Sequence, residues 1–170
     1  MRDEVAELVY PVFKYGLDVK DQLDTGERVD MQKTQLDLIR LLADKRWNRM
    51  DGDSVFGTSA AFASVRSGGT QGAKSAGTFL GIRYALVCWL DELFISHSSW
   101  GQEWRDHALE VARYNSAEAA WKFWEQAQKA EAQPGSDALE VYYLCVMLGF
   151  RGKPNDLYSW VERVRPQITP

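Results

Sequence analysis

Cysteine, histidine and proline are scarce in this chain, and it has neither a long apolar run nor any sustained two-residue alternation. Two cysteines and two histidines in 170 residues leave little material for a disulfide framework or a histidine-rich metal centre. Cys88 and Cys145 each sit inside an apolar run and read as small buried hydrophobes in a reducing compartment. The longest unbroken apolar run, Tyr84 to Leu90, is seven residues, whereas a membrane-spanning helix needs about 20. No excess of basic residues exists either: the net charge is −4, so a general nucleic-acid binder is not expected. The first residues, Met-Arg-Asp-Glu-Val, lack an apolar signal core. Without period-two segments, no sheet is expected, and the fold class is all-α.

What is abundant is tryptophan, at 47, 89, 100, 104, 121, 124 and 160. Such side chains fill a helical core or anchor a partner interface, and composition alone leaves both roles open. Residues 3–24 carry Val5, Leu8, Val9, Val12, Phe13 and Leu17 at helical spacing, with Pro11 marking a kink or a late start. Asp30 caps a second helix through about Met50, with Leu36, Ile39, Leu42, Trp47 and Met50 inward. Between Gly52 and Gly81 lie seven of the thirteen glycines. The stretch 51–77 therefore reads as a long mobile connection, with one short helix around Ser59 to Val65.

Thr78 to Ser96 is apolar on nearly every face and makes the central core helix. Trp100 to Arg113 forms another, with Trp104, Ala108 and Val111 inward. Asn115 with Glu118 opens the next in capping-box style, with Ala117, Trp121, Trp124 and Gln128 on one stripe. Asp137 with Glu140 repeats that signal for a helix ended by Gly149. Leu157, Trp160, Val161 and Val164 form a last stripe before Pro166.

Catalytic patterns are thin. Residues 68–75, Gly-Gly-Thr-Gln-Gly-Ala-Lys-Ser, are one substitution from a phosphate-binding loop, with Ala73 where the second glycine belongs and no strand before them. Glu103 and His107, with His97 nearby, are the best metal-ligand set, and their convergence is weakly supported. No cofactor and no metal are expected. Asp91-Glu92 stands out, because a carboxylate in so apolar a helix needs a partner or a cleft. One reading pairs it internally, with Arg83 or with a Trp or Tyr donor; the other places it in a partner-facing cleft.

Tyr84-Ala-Leu-Val-Cys88-Trp89-Leu-Asp91-Glu92, then Trp100-Gly and Trp104, then Leu139-Glu140-Val-Tyr-Tyr143-Leu-Cys145-Val-Met-Leu-Gly149-Phe150-Arg-Gly152-Lys153 together resemble the DotU/TssL (IcmH-like) family, the cytoplasmic domain of an inner-membrane component of type VI secretion systems. The resemblance is carried by Tyr84 to Lys153. It implies two packed three-helix bundles, six to seven helices in all, forming one hook-like domain over 1–170. Residues 1–50 would be the first half, 51–77 the connection and 78–170 the core half.

The implied function is structural and non-enzymatic: linking an IcmF/TssM-like inner-membrane protein to the cytoplasmic baseplate. Self-association into a homodimer is a further expectation. The implied partner cleft comprises Asp91, Glu92, Trp100 and Trp104. The implied location is the cytoplasmic face of the inner membrane, with a transmembrane helix expected after Pro170. The basic residues Arg151, Lys153, Arg163 and Arg165 would suit a flank to it, or equally ordinary helix ends. A free cytosolic adaptor of the same fold is the alternative, and a nucleotide-binding enzyme using 68–75 a remote one. Three departures from the family pattern point to a divergent member: the long stretch 51–77, Ala-Glu-Ala-Ala-Trp-Lys-Phe-Trp over 117–124, and Pro154 after the Gly-Lys.

Overall fold

The computed structural model describes residues 1–50 and 78–168. All of their regular structure is helical. The helices are α1 (Asp3–Asp24), α2 (Met31–Leu42), α3 (Arg46–Met50), α4 (Ile82–Ser96), α5 (Gly101–Arg105), α6 (Leu109–Tyr114), α7 (Ala119–Glu131), α8 (Asp137–Met147) and α9 (Leu157–Ile168). Six of these nine have eleven residues or more and correspond to six of the seven helices that the sequence periodicity predicts; the other three are single turns or little more. The expected connection 51–77, its short helix and the phosphate-loop near-match 68–75 lie outside the described residues.

α4 is the axis of the fold. It is buried on every side from Ile82 to Asp91 and packs against α1, α5, α6, α7 and α8. α1 and α2 complete a three-helix group with it, and α7, α8 and α9 form a second group docked on its other side. One apolar core runs through both, from Val5 and Val9 through Leu86 and Trp89 to Phe123, Val146 and Val164. The helix begins at Ile82, with Gly81 before it at φ 93, later than the expected Thr78.

The seam between α4 and α8 is as the apolar pattern demands. Cys88, Trp89, Leu90, Tyr142 and Cys145 are buried, and Leu148 packs at the edge. Both thiols are pushed up from their ordinary value by burial, consistent with packing groups that do not ionise. Tyr142 donates to the carbonyl of Gly81 at 2.9 Å, so its hydroxyl is satisfied inside the core. The Trp89 indole is edge-on to Phe13, 5.0 Å between centroids, and its Nε1 donates to the Leu148 carbonyl at 3.2 Å. α1 can come this close because position 16 is glycine: a Cβ there would lie 2.9 Å from the Trp89 ring.

Several expectations need correction. Pro11 neither delays nor ends α1, which is continuous from Asp3 to Asp24. The second helix is broken at Ala43–Lys45, because the Asp44 carboxylate accepts from the Arg46 N–H and starts a new turn. Leu36 and Ile39 are exposed, while Thr34, Leu38 and Leu42 face inward. Trp100 to Arg113 is two short helices, and Val111 points outward. The stripe of α7 is Phe123, Gln126, Ala127 and Ala130, which leaves Trp121 49% exposed. α9 continues through Pro166 to Ile168.

Trp89→Ala removes an indole that is 1% exposed, with its ring contact and its hydrogen bond. It should cost about 3–5 kcal/mol of unfolding free energy by urea titration. A change inside experimental error would mean that α1 and α8 do not close on α4 as described.

Candidate functional site

The Asp91-Glu92 pair lies little more than one turn from the end of α4, where two adjacent carboxylates project about 100° apart and so serve different neighbours. Asp91 turns inward and is 5% exposed. It accepts from the Trp104 indole Nε1, from Leu109 N–H and from Glu110 N–H, each at 2.9 Å. The last two are the first amides of α6, which would otherwise have no acceptor, since the residue before them is Ala108 with no side-chain cap. Asp91 is thus a cap supplied from another helix. Arg83, the alternative partner, donates instead to the Leu42 carbonyl at 2.9 Å.

Glu110, which the sequence reading did not single out, repeats the device one step on. It is 3% exposed and accepts from the Tyr84 hydroxyl at 2.8 Å, the Ser116 hydroxyl at 2.9 Å, Glu118 N–H at 3.3 Å and Ala119 N–H at 3.1 Å. The Ala119 amide opens α7, and Glu118 gives no side-chain cap. The capping box expected of Asn115 and Glu118 is therefore absent, and Asn115 ends α6 in the left-handed conformation, φ 51. The signal that could have found Glu110 is a lone acid between Leu109 and Val111 just after a break. Burial pushes the Tyr84 hydroxyl far up from its ordinary value.

Glu92 faces the opposite neighbour. Its carboxylate accepts from Arg151 N–H at 2.7 Å and Gly152 N–H at 2.9 Å. The same turn is held by Trp124 Nε1 donating to the Arg151 carbonyl at 2.9 Å and by Lys153 N–H donating to the Ala120 carbonyl at 2.7 Å. Gly152 has φ 56, and a Cβ on it would meet the Ala120 oxygen at 2.6 Å, so the turn admits no side chain there. Gly149, at φ 116, lets the chain leave α8, and Phe150 then packs on Phe123 with 4.0 Å between centroids. The Gly149–Lys153 block is accordingly a turn pressed between α4 and α7.

The four residues expected to form an open cleft separate. Asp91 and Trp104 are interior and bonded to each other, so they offer no surface for a partner. Glu92 and Trp100 are half-buried; Trp100 stacks on Trp104 at 5.6 Å and packs on Phe94 at 5.2 Å. Asp137 and Glu140 do not cap α8. They bind the start of α1, Asp137 through Arg2 and Glu140 through the amino group of Met1 at 3.0 Å. Tyr143 stacks on Trp160 at 6.4 Å. His97, Glu103 and His107 are all exposed, and among the described residues no three His, Cys, Asp or Glu side chains converge.

Burial and hydrogen bonding pull the Asp91 proton in opposite directions. Desolvation is the larger and pushes the carboxyl up to about 6, against three N–H donors that lower it; the Glu110 charge adds to the rise. A folded-state value above the ordinary 3.8 means that this group stabilises the fold most below pH 3.8, and that the contribution is lost as the pH rises through 6. Other carboxylates cancel in a comparison with Asp91→Asn. The difference in unfolding free energy between wild type and that variant should therefore grow by about 2 kcal/mol between pH 7 and pH 4.5. Parallel pH curves would contradict a buried Asp91 carboxyl raised above its ordinary value. Glu92→Lys should lower stability by about 2–3 kcal/mol through loss of two charge-assisted bonds, read from its urea midpoint; an unchanged midpoint would mean that the turn holds without it.

Comparison with known proteins accords with this architecture. The solved cytoplasmic domain of TssL from Acinetobacter baumannii is similar over 96% of this chain and 96% of that one, with a TM-score of 0.64 and 19% identity, a likeness of fold. No curated protein matches the chain. The family described as type VI secretion system protein DotU matches residues 58–169, which include the Asp91-Glu92 helix, the Glu110 cap and the Gly149–Lys153 turn. A match over more than half of the sequence makes this chain a member of the DotU family of type VI secretion system proteins.

Proposed function

We propose that this domain is a non-enzymatic docking component of a type VI secretion membrane complex, which binds the cytoplasmic part of an IcmF/TssM-like inner-membrane protein and a baseplate protein. The observation that carries the reading is the use made of the buried acids. Asp91 and Glu110 are consumed as acceptors for backbone amides and for Trp, Tyr and Ser donors, an arrangement that stiffens corners and commits both carboxylates to holding the fold. Family membership supplies the setting. Among the described residues no helix is long and apolar enough to cross a membrane, so in this reading attachment to the inner membrane comes through the partner or through a segment outside those residues.

Within that reading, the half-buried Trp100 and Glu92 border a contact surface, while Asp91 and Trp104 hold it in shape from inside. An indole at such a border contributes desolvated area, and a carboxylate favours a basic partner. Trp100→Ala keeps the Asp91–Trp104 bond and should melt within a few degrees of wild type. Capture of the purified cytoplasmic segment of an IcmF/TssM-like protein from the same organism should weaken about tenfold or more, measured by calorimetry. Full capture by that variant would move the surface elsewhere, and failure of the wild-type domain to bind either partner would refute the docking role.

A further inference from the structure

We draw no further inference here: the strongest candidate, the hollow of about 300 Å³ between α1 and the start of α2 that Asp18, Asp30 and Lys33 line, carries nothing, because its charged groups are met from within the chain (Asp18 by Lys14, Asp30 by the Lys33 amide, Lys33 by Asp37) and nothing in the structure shows what would fill it.

Discussion

Two carboxylates on consecutive residues of a buried helix set the layout of everything packed around it. Asp91 and Glu92 diverge by the helical turn angle, so one reaches the α5–α6 corner and the other the turn after α8. Each meets amides that have no local acceptor. An acid buried to 5% exposure is unfavourable unless donors surround it, and here three N–H groups do so from three residues. Glu110 then passes the same service to the start of α7. α4, α6 and α7 are thereby linked in sequence, the starts of α6 and α7 each capped by an acid that the preceding member of the three carries.

The parts of the fold that could be read from the sequence are those whose burial is extreme. α4 and α8 are apolar on more than one face, and only an interior position sustains that, so Cys88, Trp89, Tyr142 and Cys145 were legible as core. Helix boundaries and phases were less legible where a distant group decides them. Asn115 and Glu118 have the spacing of a local cap, but the Glu110 carboxylate takes the Ala119 amide and Asn115 goes to the left-handed conformation. With the start of α7 fixed that way, Phe123 and not Trp121 points into the core. Asp137 and Glu140 likewise answer to the start of α1 instead of their own helix. For Asp91 the sequence left internal pairing with a Trp or Tyr and a partner-facing cleft both open for a related reason: pattern shows that a buried acid needs a donor, and cannot show that an indole thirteen residues later supplies it.

The division of labour bears on function. Motif residues that might be taken for a binding site are largely spent inside: Gly152 against Ala120, Glu92 on Arg151 and Gly152, Asp91 on Trp104. What they hold rigid is the structure around them, namely the Trp100–Trp104 stack and the turn that folds Arg151 over the end of α8. A docking component is served by such pre-organisation, because order present before binding need not be created during it.

The measurement that bears most directly on this account is native-state hydrogen exchange at four amides, those of Leu109, Glu110, Arg151 and Gly152. None has an acceptor on its own element, and each is bonded to Asp91 or Glu92. The account predicts that all four are protected, that Asp91→Asn speeds exchange at Leu109 and Glu110 while Arg151 and Gly152 stay slow, and that Glu92→Gln does the reverse. Fast exchange at these amides in the wild-type domain, or loss of protection at all four with either variant alone, would contradict it.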